Sequence, residues 1–317
     1  MVMGATKQRL VMLVLATGLM GCAWVAPPVA PPIAPSVAAP VPDLPPEPSQ
    51  ASKDLAVYYG RLQNDLLTQG LLRGDGGGPD TPFTDTQLAR NFVRIALFSE
   101  YRDDSDFQRP QTTLSSLRRW SEPIRMTVEF GDSVPGDQRD VDRASVSTYA
   151  ARLSRVTGVP IRLTDTNPNF HVLFLGEDDR RAYGDTLRAL IPTISDATVR
   201  TFVNLPRDQL CVVIGTFEAG KSSYSKAVAM IRAEHPSLMR SACIHEELAQ
   251  GMGLANDSPG ARPSIFNDDE EFALLTTHDE LLLQMLYDPR LQTGMAPAVA
   301  APIARQIARD YLAAGAS

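Results

Sequence analysis

The sequence predicts an α+β domain, and three observations carry that prediction. Segments whose apolar residues alternate with period two are interleaved with longer segments whose apolar residues recur at helical spacing. Their order is strand, helix, strand, strand, strand and then a long helix. No strand is followed by the Gly-rich loop that cradles a phosphate, which disfavours nucleotide binding.

The first elements lie outside that domain. Lys7 and Arg9 form a short basic region, residues 10–20 an apolar stretch, and Gly21 precedes Cys22, the order of a bacterial lipoprotein leader. The apolar stretch is too short to span a bilayer, which argues against the alternative of an uncleaved anchor. Cleavage would remove the signal peptide, residues 1–21, and leave Cys22 as an acylated N-terminus. Ala23 follows where an aspartate could stand, and lipoproteins resembling this go to the inner leaflet of the outer membrane. Residues 22–50 are rich in proline and alanine, with Pro27, Pro28, Pro31, Pro32 and Pro35 leaving too few amide donors for helix or sheet. They form a polyproline-biased tether that extends about 3.1 Å per residue. The other use of such a segment, as ligand of a proline-binding groove, has no flanking specificity residues here.

The remainder of the 317 residues is long enough for one large or two small domains with a proper core. A formal charge of −7, and no basic block longer than Arg118-Arg119 or Arg180-Arg181, exclude a phosphate track and with it nucleic acid. Residues 51–80 read as an N-terminal helix and a hinge: Leu55, Tyr58, Tyr59, Leu62, Leu66 and Leu67 keep helical spacing, and a glycine cluster at 74–78 follows. The main domain, residues 81–292, opens with a helix capped by Thr84 or Asp85 that runs through Leu88, Phe92, Ile95 and Ala96. Residues 124–130 alternate as a half-buried strand, and residues 146–157 form a helix closed by Gly158 and Pro160. Strands follow at 161–163, 171–175 and 210–214. Thr277 and Glu280 match a capping box for a helix that points Leu281, Leu282, Met285 and Leu286 to the core and stops at Pro289. Residues 293–317 form a C-terminal helix that docks through Ile303, Ile307 and Tyr311; a membrane-lying helix is the lesser option, with only Arg305 and Arg309 as cations.

Beyond Cys22 the chain has two cysteines, Cys211 and Cys243. In the oxidising compartment to which the leader points they form one disulfide, with two buried free thiols as the alternative.

The stretch that suggests chemistry is Ile244-His245-Glu246-Glu247-Leu248-Ala249-Gln250-Gly251-Met252-Gly253-Leu254-Ala255-Asn256-Asp257, a helix by its apolar spacing, ended by Gly253. Glu246 and Gln250 lie four apart and share a face, Glu247 follows, and Asn256 comes after a glycine turn that folds it back. The segment resembles the zinc-binding helix and turn of the metzincin metalloproteases, H-E-x-x-H-x-x-G-x-x-H. Glu246, Gln250 and Asn256 take the three ligand places, Glu247 the general base and Gly253 the turn. Pro263-Ser264-Ile265-Phe266-Asn267 resembles the methionine turn of that family, with Phe266 in the place of the methionine. The resemblance implies a zincin-like mixed sheet with a long site helix and a C-terminal helical subdomain. More closely, the chain resembles a bacterial family known as domain of unknown function 2927. It does so over residues 82–292, through the Glu-Glu, the Gln, Gly-Leu, Asn-Asp-Ser, Ser-Ile-Phe-Asn-Asp and Leu-Tyr-Asp-Pro-Arg-Leu features.

The replacements decide the expected chemistry. Zinc proteases use imidazole nitrogens, whereas a glutamate and two carboxamides form a hard oxygen site suited to calcium or to no metal. Reading His245-Glu246 as the start of a true H-E-x-x-H puts Ala249 at the second ligand place. His171 and His278 could approach in space, but lone exposed histidines are the commoner outcome, and His235 beside Pro236 reads as a loop residue. The plain alternative for Glu246, Glu247 and Gln250 is the solvated face of an amphipathic helix. The acidic run at 268–271 likewise reads as solvated loop. The expectation is therefore an envelope lipoprotein, membrane-bound through its lipid anchor, with a non-proteolytic binding or structural role toward an envelope protein or the cell wall. The alternative is a metal-dependent hydrolase of peptide or cell-wall material, with Glu247 as general base and oxygen ligands at Glu246, Gln250 and Asn256.

Overall fold

The Ser49 side chain accepts the Ser52 amide and starts α1, Gln50–Thr68, in the computed structural model, which describes residues 46–99, 113–218, 220–267 and 269–315. The helix ends at Thr68, before Gly70 and short of the glycine cluster at 74–78 expected to follow it. Helix α2, Asp85–Ala96, carries the reciprocal capping box of Thr84 and Gln87 and buries Leu88, Phe92 and Ile95 as expected. A short antiparallel pair follows, β1, Phe98–Ser99, with β2, Thr113–Leu114.

The central sheet begins with β3, Ile124–Phe130, at the expected place. Helix α3, Gly136–Thr157, ends at a left-handed Gly158 but starts ten residues before the expected 146. Its first turns, Gly136-Asp137-Gln138-Arg139-Asp140, carry no apolar periodicity, so nothing in the pattern marked them as helical. Strands β4, Ile161–Leu163, and β5, Phe170–Leu175, follow. Three short helices come next, α4, Glu177–Ala182, α5, Gly184–Leu190, and α6, Asp196–Val203, then β6, Cys211–Phe217, and β7, Tyr224–Arg232. Neither the short helices nor β7 was expected. The domain closes with α7, Ser237–Gln250, α8, Thr277–Tyr287, and α9, Pro297–Gly315.

The five strands are ordered β4-β3-β5-β7-β6. The first four are parallel, and β6 pairs antiparallel with β7 at the edge. This mixed sheet with its helices is the α+β class. Strand β5 is buried along its whole length because both faces of the sheet are covered, the condition under which a strand reads as a continuous apolar run. Met126, Val128, Phe170, Val172, Ala229 and Ile231 face the larger core with α2, α3, α7, α8 and α9. Leu173, Leu175, Val212, Ile214, Val228 and Met230 face the smaller core with α5 and α6. Helix α9 docks through buried Ala300, Ala304, Ile307 and Ala308, with Ile303 and Tyr311 partly buried at its margin. No helix among the described residues is long and apolar enough to cross a membrane.

Candidate functional site

Helix α7 leaves β7 through a turn at Ala233-Glu234-His235-Pro236, and Pro236 serves as its N-cap. Cys243 on its inner face is bonded to Cys211 on β6, as expected, so the middle of the helix is tied to the edge of the sheet. Ile244 and Leu248 fix which face is buried. Glu247 lies on that side too, only 4 % exposed, so the solvated-face reading does not hold for it; Glu246 and Gln250 are half-buried.

The helix stops at Gln250, capped by Gly251, three residues before the glycine expected to end it. Close approach sets the stop. The Trp120 indole donates to the Gly251 carbonyl at 2.8 Å, and a Cβ on Gly251 would lie 2.6 Å from the Phe170 ring. Gly253, at φ 123°, makes the turn instead, and a Cβ there would meet the Arg118 carbonyl at 2.3 Å. The chain then folds back as the spacing implied. The Gln250 amide nitrogen donates to Asp257 Oδ1 at 3.2 Å. Asn256, 3 % exposed, donates through Nδ2 to the Arg94 carbonyl at 2.9 Å and to the Asp257 carbonyl at 2.7 Å, stapling the return to the end of α2. Its Oδ1 is buried and has no hydrogen-bond partner among the described residues.

His245 is held inward. Its ring stacks on Tyr149, 4.0 Å between centroids, and Nδ1 accepts the Leu275 amide at 2.9 Å. Burial, helped by Arg152, pulls its pKa down to about 3, so it is a neutral imidazole with its proton on Nε2. With Tyr149, Arg152 and Arg155 it lines a cleft of about 460 Å³ between α3 and α7. The expectation of exposed histidines at 171 and 278 is corrected, since both are buried. His171 sits inside β5 with Nδ1 2.6 Å from Glu129 on β3, and His278 lies 3.1 Å from the Asn91 amide beneath the edge of Phe83. His235 is in a turn, as expected, but fully enclosed.

The turn at 263–267 packs against the return. The Ser258 amide donates to the Phe266 carbonyl at 2.9 Å, and the Phe266 side chain is wholly buried. Asp279, also wholly buried, organises that turn. It accepts Ser264 Oγ at 2.5 Å, the Ile265 amide at 3.1 Å and the Thr276 amide at 3.0 Å. The capping box of α8 is therefore Thr276 with Asp279, one residue before the expected Thr277 and Glu280. Asp279 was missed for that reason. The acidic run is not simply solvated either: Glu271 pairs with Arg262 at 2.5 Å, and the Glu270 and Glu271 carbonyls accept the Leu72 and Arg73 amides.

Residues 85–306 match a protein family, described as Protein of unknown function (DUF2927). The chain belongs to that family. No curated protein and no solved structure matches the chain. The DUF2927 span runs from the first residue of α2 into α9 and takes in the whole sheet, α7 and the return. The zinc implied by the metzincin resemblance does not fit these residues. Two of the three ligand places are carboxamides whose nitrogens donate within the fold, and the imidazole beside them is engaged by Leu275. Among the described residues no group of three or more His, Cys, Asp or Glu side chains is placed to hold a metal ion.

Proposed function

We propose that this chain is a lipid-anchored protein of the bacterial cell envelope whose DUF2927 domain works by binding an envelope or cell-wall partner rather than by cleaving peptide bonds. The observation that carries the binding reading is the state of the two carboxamides at the ligand places. Gln250 and Asn256 spend their amide hydrogens on Asp257 and on the Arg94 carbonyl, which makes them staples of a turn. A proteolytic centre needs electron-pair donors converging on a metal that then activates water. The anchor rests on the order Lys7, Arg9, apolar stretch, Gly21, Cys22, and the Cys211–Cys243 bond agrees with export to an oxidising compartment.

One observation favours the second reading, a site of oxygen ligands at Glu246, Gln250 and Asn256 with Glu247 as base. Asn256 Oδ1 is buried without a partner among the described residues, and a hard cation would satisfy it. One measurement tests the anchor and a second separates the two readings of the site. Fractionation should find the wild type in membrane pellets and the Cys22→Ser protein in the soluble envelope fraction; an unchanged pellet refutes the anchor. Elemental analysis of envelope-purified protein should find well under one metal per chain and no peptide hydrolysis. One metal per chain together with hydrolysis abolished by Glu247→Gln would replace the binding reading with the enzyme.

A further inference from the structure

Helices α2 and α9 are far apart in sequence but adjacent in the fold, and the cleft between them has a composition that neither helix shows alone. It encloses about 430 Å³, within the range of small-molecule sites. Its apolar floor is Ala89, Val93, Phe98 and Ala301, and four arginines stand around it, Arg90 and Arg94 from α2, Arg305 and Arg309 from α9. Asp85 is the one carboxylate in the lining, and it accepts the Thr86 amide at 2.7 Å. Among the described residues Arg90, Arg94 and Arg305 have no carboxylate partner, while Arg309 donates to Gln306 at 2.5 Å. Four guanidinium groups against one carboxylate make the cleft locally positive on a chain of net charge −7.

We infer that this cleft binds an amphiphilic anion, an acyl chain ending in a carboxylate. The charged end is read by the arginines, whose planar donors match a carboxylate in bidentate fashion. The body of the ligand is read by the floor. The arginines could donate to the carbonyls of a peptide laid there, but its amides would need acceptors, and the lining side chains offer only Asp85 and the Thr86 hydroxyl. An acyl chain needs none. The Arg94 carbonyl is held by Asn256, and the Arg94 guanidinium lies beside Gly260, 2.4 Å from where a Cβ would stand, so the cleft borders the return turn of the site helix. The inference does not depend on how the chain is anchored.

The test uses the Cys22→Ser protein in detergent-free, low-salt buffer, titrated calorimetrically with laurate, and with acetate and inorganic phosphate as competitors. The expected result is one saturable laurate per chain, weakened at least about tenfold by Arg90→Gln with Arg305→Gln and by Ala301→Trp, and weakened by added salt. Acetate and phosphate should fail to compete, since they lack the apolar body. Thermal melts matching the parent protein show that the variants fold, as expected for exposed arginines. No laurate binding by the parent, equal binding by both variants, or equal competition by phosphate overturns the proposal.

Discussion

Replacing Asp279 should be among the most damaging single substitutions in the chain, although it lies outside the motif that draws attention. Its carboxylate is wholly buried and accepts from Ser264 Oγ, the Ile265 amide and the Thr276 amide. Thr276 Oγ1, 2.8 Å away, divides its proton between Asp279 and the Pro263 carbonyl. In Asp279→Ala three buried donors lose their acceptor. At about 1–3 kcal/mol for each, discounted for non-additivity, the loss of stability is about 4 kcal/mol. Asp279→Asn has a milder way out. Its Oδ1 can keep the two backbone amides while Nδ2 donates to the Ser264 hydroxyl, which leaves a loss of about 1–2 kcal/mol. Urea unfolding of the oxidised proteins at pH 7 measures both, and the alanine variant should melt about 10 °C lower. An alanine variant within about 1 kcal/mol of wild type, or an asparagine variant as damaged as alanine, would refute the claim that this carboxylate organises the turn.

Two further predictions concern the same core. Cys211→Ala with Cys243→Ala opens a loop with a sequence separation of 32 and should cost about 3–4 kcal/mol by loop entropy; thiol labelling of the unreduced native protein should find neither cysteine, and full labelling would exclude the bond. His235 and His245 have folded pKa values of about 3, lowered chiefly by burial from 6.5. The unfolded chain therefore takes up protons first, so their stability contribution is complete above pH 6.5 and is lost as pH falls toward 3. Each adds a slope of up to about 1.4 kcal/mol per pH unit in that window. Urea midpoints at pH 7, 5.5 and 4 should fall less steeply for His245→Gln than for wild type, and parallel slopes would contradict the burial of this imidazole.

Helices with a side-chain cap and a regular apolar face were legible in the sequence. Thr84 or Asp85 as cap, with Leu88, Phe92 and Ile95, marked α2, and Ile303, Ile307 and Tyr311 marked α9. Strand β7 escaped because Ala227 and Ala229 are small and Lys226 and Arg232 bracket the run, so its apolar density is low although it lies inside the sheet. Helices α4, α5 and α6 escaped for a different reason, being too short to repeat a face and, in α4, almost wholly charged. At the site, the α7 helix, the return of Asn256 and the cysteine pair were readable from spacing and composition. The burial of Glu247 and of the histidines was not, because it depends on strand order and on which helix covers which face. His171 meets Glu129 only because β3 and β5 are neighbours.

Helix α1 lies before the DUF2927 span, yet it is bonded to the segment that launches the site helix. Ser52 Oγ donates to Glu234 at 2.7 Å, Glu234 also accepts the Glu177 amide at 2.6 Å, and the Met239 amide in the first turn of α7 donates to Gln63 at 3.2 Å. Tyr59, wholly buried, donates to the Arg207 carbonyl at 2.9 Å and stands edge-on to His235. The site helix is thus fixed at its start by α1, in its middle by Cys243 and at its end by Gln250 and Asn256. A helix held at three places has little freedom left to lose when something docks against it, which lowers the entropic cost of association.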